Sequence, residues 1–325
     1  MYELELSFHG LTIHLHTPDK VLFDQWAFLL AGWVTPVQAS CTTADVCFHL
    51  SLTDRLAIPE QKPVFVDMHT LPDEIGVLSV YATENGRLCL HFRQAGIVHL
   101  STHNPSQTII GQITQLATKY GRLEDITFTS LAPFLRRHGF YLLHAFAAAC
   151  NGCAVLVVGP SGSGKTTSGL ALLQAGWELL ANDIVLLHKR PEGYLALPTP
   201  GGVSIRPPTL ELLPSLRDLV SDTPLVQGKY HLTGWQVGNG RYASPAPVTH
   251  LYLPHITNQP QTNRKPLSRA IALAHLMEES IDRWDTAMLT HHITFLEQLC
   301  RQAQPYTLNL GRDVAQWYIL AEKEK

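Results

Sequence analysis

Apolar and polar positions alternate in short runs over the N-terminal part of the chain: YELELSF, LTIHLH, ADVCFHLSL, KPVFVDMH, VLSVYA, RLCLHF and GIVHLS, separated by turn-forming residues. Period-two alternation puts every second side chain on one face, so Tyr2 to about Ser101 is predicted to be mostly β. Leu22–Gly32 departs from this pattern, with spacing that predicts a helix ending at the glycine. Between Ser106 and His138 the period lengthens. Ile109, Ile110, Ile113, Leu116 and Ala117, then Leu131, Phe134 and Leu135, fall at helical spacing before Gly139. A domain boundary is placed near Gly121-Arg122, giving a β-rich N-terminal domain over 1–122, of unassigned role, and a second domain over 123–325. No Gly/Ser-rich or Pro-rich linker marks the boundary, so the two parts are expected to pack together.

Past that boundary, FYLLHAFAAA, a turn, CAVLVVG, a glycine-rich loop, Lys165–Ala175, WELLAND and IVLLHKR read as strand, strand, loop, helix, strand and strand. Short connections of this kind describe an α/β core. After Pro191 the chain is rich in Pro and Gly, and then predicts a helix around Leu210–Val220 and a strand over VTHLYLPHI. Helices over Leu267–Glu279 and Asp285–Gln302 follow, then a last strand and helix. No internal repeat is visible, which excludes a solenoid reading.

Composition narrows the classes. With 325 residues, 45% hydrophobic and 16% charged, the chain can bury one large or two modest cores. It contains no run of about 18 apolar residues, and MYELELSFHG lacks the basic and apolar regions of a secretory signal, so a soluble, cytosolic protein is expected. A net charge of −3 and a pI near 6.6 give no electrostatic reason to expect nucleic acid or anionic membrane as a partner.

Six cysteines (Cys41, Cys47, Cys89, Cys150, Cys153, Cys300) are scattered through a chain too large to need disulfide staples, and are expected to be reduced. Cys150 and Cys153 flank Asn151-Gly152, the strongest short hairpin signal, and read as strand residues beside a turn. The 17 histidines form no HExxH pattern, and His250, His255, His291 and His292 read as surface or core residues.

The segment GPSGSGKTT, Gly159–Thr167, fits G-x-x-x-x-G-K-[ST] without departure, and it follows an apolar strand and opens a helix, as the motif requires. Its glycines let successive backbone N–H groups turn inward on phosphate oxygens, while the helix N-terminus adds about half a positive charge. Lys165 is expected to reach the β- and γ-phosphates of a nucleoside triphosphate, and the Thr166 hydroxyl to ligate Mg²⁺. The chain has neither an LSGGQ signature nor an NKxD element, which argues against a transport cassette or a switch GTPase. Asp183 follows Lys165 closely, at the end of a predicted strand. A carboxylate there can hold Mg²⁺ through water, accept a proton from an attacking hydroxyl, or be a solvated strand end. His144, on the strand before the loop strand, reads either as a core histidine or as a site residue, depending on register.

The stretch LLHAFAAACNGCAVLVVGPSGSGKTTSGLALLQAGWELLANDIVLL resembles the catalytic core of the HPr kinase/phosphorylase family and its relatives, including kinases of peptide-modifying clusters. The shared pattern is His-Ala/Gly, a turn, GxSGxGKS/T, a helix, Gly, then Ala/Ser-Asp-Asp-x-Val, with the same short distance from Lys165 to Asp183. The resemblance implies an α/β P-loop kinase core related to phosphoenolpyruvate carboxykinases. It further implies ATP and Mg²⁺ as cofactors, with Gly159, Pro160, Ser161, Gly162, Ser163, Gly164, Lys165, Thr166 and Thr167 binding the nucleotide and Thr166 and Asp183 on the metal side. Asp183 takes the place of the base that accepts the serine proton, with His144 as its neighbour.

Two departures stand out. Asn182 replaces the first Asp of the pair, and Ser204 stands where a Mg²⁺-binding Glu is expected, which weakens any phosphorylase activity. Gly311-Arg312-Asp313 is faintly similar to an element whose Arg assists catalysis; Arg206 and Lys229 are rivals for that role.

The function expected is transfer of the γ-phosphate of ATP to a Ser or Thr hydroxyl of a protein or peptide acceptor. The alternatives are an NTPase or nucleotide-gated interaction protein without an acceptor, and a kinase of a small molecule such as free serine. The resemblance also suggests assembly into a homo-oligomer.

Overall fold

The computed structural model describes residues 1–36, 44–67, 77–83, 87–101, 107–119, 121–280 and 282–322. Cys41 lies outside the described residues; Cys47, Cys89, Cys150, Cys153 and Cys300 carry free thiols. The protein is mixed α/β with several sheets, and the chain divides into two compact units, Met1–His138 with Arg283–Thr286 and Gly139–Asp282 with Ala287–Lys325. The division falls at His138/Gly139, after the helix Arg122–Arg137; the boundary expected from the sequence lies near Gly121-Arg122, before that helix. Among the described residues no helix is long and apolar enough to cross a membrane.

The first unit is built on a nine-stranded sheet. Its strands lie in the order Val34–Pro36, Tyr2–Phe8, Leu11–Thr17, Val46–Leu52, Gln107–Ile113, Gly96–Leu100, Leu88–Phe92, Leu78–Ala82 and Phe65–Asp67. Alternation does what the pattern requires: Leu4, Leu6, Phe8, Ile13 and Leu15 are buried, while Glu3, Glu5, His14 and His16 line the other face. The helix Lys20–Leu29 buries Leu22 and Trp26, and the Trp26 indole N–H donates to Thr127 Oγ1 of Arg122–Arg137 at 3.0 Å.

One expectation is corrected here. Gln107–Ile113 is a strand, parallel to Val46–Leu52, rather than part of a helix. Ile109 and Ile113 lie four apart, which suits either period; the decision comes from Ile110, which is exposed, and from the β-branched run Thr108–Ile110. Gly111 fits only a sheet this close, since a Cβ there would meet Leu50 at 2.8 Å and Val98 at 3.0 Å.

The second unit carries an eight-stranded sheet. The long strand Phe140–Cys150 changes partner along its length, pairing Phe140–His144 with Ile184–Arg190 and Ala145–Cys150 with Cys153–Val158. The hairpin turn has Asn151 and Gly152 at φ 52° and 76°, as the Asn-Gly signal predicts. Cys153–Val158 also pairs in parallel with Ala246–Ile256, which pairs in parallel with Gln304–Leu310, so the C-terminal ends of these three strands share one sheet edge. The helices Arg269–Glu278 and Leu289–Gln302 begin later than the spacing predicted, and Leu210–Val220 is a short helix Pro207–Leu212 followed by 3₁₀ turns. Pro214 breaks that helix by removing a backbone donor. Gly202–Ile205, Lys229–Thr233 and Leu225–Val226 form a separate three-stranded sheet.

Candidate functional site

The loop Gly159–Gly164 leaves the buried strand Cys153–Val158 and enters the helix Lys165–Gln174. Gly162 and Gly164 sit at φ 83° and 103°, a left-handed backbone that brings the chain round into the helix N-terminus. The helix can lie close on the sheet because residue 169 is glycine: a Cβ there would run into the Phe146 ring. Trp317 fixes it from the other side, its indole N–H donating to the Ser168 carbonyl at 2.8 Å.

Lys165 is 5% exposed, and its ammonium donates to the carbonyls of Gly159 (2.5 Å) and Pro160 (3.2 Å). Burial pulls its pKa below the usual lysine value, and the charges of Asp183 and Glu279 partly oppose that pull. The Thr166 hydroxyl donates to Asn182 Oδ1 at 3.3 Å, and the Asn182 amide in turn donates to the Gly202 carbonyl at 2.8 Å. Asn182 thus ties the loop helix to the small sheet. Thr167 shares a 3.0 Å hydroxyl contact with Thr209.

Asp183 sits in the turn between Glu178–Ala181 and Ile184–Arg190, with φ +65° and the Ile184 N–H bonded to the Asn182 carbonyl at 2.9 Å. A positive φ closed by an i+2 to i bond is a γ-turn of the rare, strained kind. The neighbouring strand holds it there through Ala145 N–H, which donates to the Asp183 carbonyl at 3.1 Å.

The turn points the carboxylate at His144. Nε2 of His144 lies 3.7 Å from Asp183 Oδ1, an ion-pair distance rather than a hydrogen bond, and Nδ1 lies 2.6 Å from Glu279 Oε2. The side chains are unequally open: Asp183 keeps 46% and His144 38% of their accessibility, against 13% for Glu279, so the first two are open to solvent and the third is largely covered. Crowding by protein around His144 would lower its pKa, but the two carboxylates outweigh this and hold it up at about 9. For Asp183, desolvation pushes upward and is overcome by His144, then by Lys165 and Lys229, so the carboxyl is held below its ordinary value. The arrangement keeps an ionised carboxylate in the field of His144, Lys165 and Lys229, and the Thr166 hydroxyl, the Asn182 amide oxygen and the Asp183 carboxylate are oxygen donors of the hard kind that suits Mg²⁺.

Of the residues singled out from sequence, the structure thus brings Lys165, Asp183 and His144 into one electrostatic cluster, with Thr166 linked through Asn182. Arg312 is not drawn into this set of contacts; it is exposed, and its backbone N–H donates to Gln259 at 3.2 Å. Leu310, at the end of the strand before it, lies where a Cβ on Gly164 would be, so Arg312 follows a strand that touches the loop. Arg206 is exposed, whereas Lys229 contributes to the field at Asp183. Ser204 shares a 3.1 Å contact with His231 Nδ1. Glu279 was not anticipated; it comes from the end of Arg269–Glu278, 135 residues beyond His144, and no motif in HLMEESID marks it.

No family model matches the chain. Among solved structures it is similar to the Hpr(Ser) kinase/phosphatase from Coxiella burnetii, at 10% identity over 55% of this chain and 97% of that one, with a TM-score of 0.26. A likeness at that score carries no argument about fold or chemistry, so the functional reading rests on the geometry of the site and on the motif residues.

Proposed function

We propose that the protein is an ATP-dependent kinase that transfers the γ-phosphate to a Ser or Thr hydroxyl of a protein or peptide acceptor. The observation that carries this reading is the Asp183 carboxylate, kept ionised by the charges of His144, Lys165 and Lys229 in a chain with a complete phosphate-loop sequence. In this reading Gly159–Thr167 binds the triphosphate, with the Lys165 ammonium moving from the loop carbonyls to phosphate oxygens. Thr166 and Asp183 would hold Mg²⁺, which when bound supplies charge neutralisation on the phosphates.

Asp183 accepts the hydrogen bond of the acceptor hydroxyl, orients its oxygen toward the γ-phosphorus and takes its proton as the new O–P bond forms and the bond to the ADP oxygen breaks. His144, positively charged, keeps Asp183 ionised until that moment. Phosphoryl transfer is largely dissociative, so a weak base in the right place is sufficient and electrostatics carry most of the effect. Ser204, in the place of the family's Glu, supports a forward kinase over a reversible one.

Incubation with γ-labelled ATP and serine- or threonine-containing peptides, followed by mass spectrometry of the acceptor, tests the reading. Lys165→Ala and Asp183→Asn are each expected to lower transfer by at least about 100-fold, the usual cost of losing one such electrostatic group. Asp183→Asn should still bind nucleotide, and near-wild-type turnover by that variant would remove Asp183 from the role of base. Phosphate release with no phosphorylated acceptor would favour an NTPase instead.

A further inference from the structure

The His144–Asp183 pair has a third member, whose carboxylate stands at the unfavourable end of its own helix. Glu279 caps the C-terminal end of Arg269–Glu278, where the helix dipole disfavours a carboxylate. Its side chain is 13% accessible and reaches the His144 ring at 2.6 Å, and its backbone carbonyl accepts the His144 N–H at 2.8 Å. One residue therefore grips both the main chain and the side chain of His144. This happens where the strand Phe140–Cys150 changes partners, His144 being the last residue paired with Ile184–Arg190.

An imidazole gripped at Nδ1 by a carboxylate has its plane and its free edge fixed, and here that edge carries Nε2 toward Asp183. The charged groups acting on the ring come from three elements: Asp183 from its turn, Glu279 from the helix end and Lys165 from the loop helix. We infer that Glu279 is a positioning residue of the site, orienting His144 so that Nε2 faces Asp183 and the Asp183 carboxylate stays aimed at the acceptor hydroxyl. Its effect on rate rests on the phosphoryl-transfer reading; its effect on the ring does not. Without Glu279, His144 is free to turn and offer either nitrogen to Asp183, closing on the carboxylate that must stay open to the acceptor.

The test uses the full chain with Mg²⁺·ATP and has two arms. In the first, ¹⁵N-histidine NMR identifies the His144 Nδ1–H proton by its loss in His144→Gln. This proton is expected downfield in the wild type, absent in Glu279→Ala and retained in Glu279→Gln, whose amide oxygen still accepts. In the second, ADP formation is followed with serine-containing peptides as acceptors. Glu279→Ala is expected to lower kcat by about 10- to 100-fold, the usual cost of losing an orienting partner, while the Kd for Mg²⁺·ATP stays within about threefold. Glu279→Gln should recover most of that loss. The inference is overturned if the Nδ1–H signal survives in Glu279→Ala, if that variant keeps at least half the wild-type kcat, or if kcat and nucleotide affinity fall together. Should Glu279→Ala fold poorly, Glu279→Gln against Glu279→Leu gives the same contrast. A wild-type protein that forms no phosphorylated acceptor would count against the kinase reading, and the NMR arm would still decide the role of Glu279.

Discussion

Asp183 combines two demands that few residue types meet. Its backbone lies at φ +65°, where most L side chains are strained, and its carboxylate must face His144. A strained turn of this kind costs roughly 1–3 kcal/mol, and Asn and Asp are enriched among non-glycine residues at positive φ because a short polar side chain can bond locally. Asp183→Asn should therefore keep the turn, and Asp183→Ala should be less stable than Asp183→Asn by about 1 kcal/mol in urea unfolding. Equal stabilities would mean that the turn relaxes without strain. This difference also separates chemistry from folding: loss of activity in Asp183→Asn cannot be ascribed to the turn. The residues of the site were unequally legible. Gly159–Thr167 is a contiguous motif with local physics, and Asp183 stands at a fixed short distance from it in the chain. Glu279 reaches His144 only through the tertiary fold, and a single Glu at a helix end has no local signature.

At the level of elements, the loop helix depends on a missing side chain. Gly169 costs the helix about 1 kcal/mol in propensity relative to alanine, yet a Cβ at that position would meet the Phe146 ring on the strand below. The propensity gain from Gly169→Ala is thus set against overpacking in a tight core, which costs about 1–3 kcal/mol. The net expectation is a destabilised protein with weaker nucleotide binding, because the helix that carries Lys165 and Thr166 must shift. Pairing the change with Phe146→Leu should restore part of both, measured by urea unfolding and by Mg²⁺·ATP titration; a stabilised Gly169→Ala would show that the helix has room. The sequence conveyed this helix and its strand well, since a continuous apolar run marks the strand and the glycine-rich motif after it opens the helix. It misled over Gln107–Ile113, where the spacing of Ile109 and Ile113 satisfies both periods and Gly111, needed for close strand packing, leaves no pattern of its own. It also ran one helix through Pro214, where the missing N–H and the proline ring end it.

For the whole molecule the informative feature is the path of the chain. After Asp282 it leaves the second unit to contribute Arg283–Thr286 to the first, and returns at Ala287. The excursion delivers Asp285, 3% exposed, to two arginines of Arg122–Arg137: Arg136 Nε at 2.9 Å, and Arg137 at 3.0 and 3.1 Å. Trp284 packs under Arg136, 5.7 Å from its guanidinium. No periodicity announces such a pairing, because its partners lie 149 residues apart and the four-residue segment is too short to carry a pattern.

Burial alone would raise the Asp285 pKa, but the Arg137 bonds and the charges of both arginines hold the carboxyl below its ordinary value. The sign follows: with the folded pKa depressed, the stabilisation is fully present above the unfolded value of about 3.9 and is lost as pH falls through the folded pKa. Asp285→Asn removes the charge from an ion pair in which both side chains are 3% exposed, and breaking such a buried pair costs about 3–5 kcal/mol. Unfolding by urea at pH 7, followed through the tryptophans of the first unit, should show that loss. The same experiment repeated toward pH 3 should find the gap between variant and wild type narrowing, since acid neutralises the carboxylate that the substitution has already removed. A gap that stays constant down to pH 3 would mean that the pair contributes through packing rather than charge.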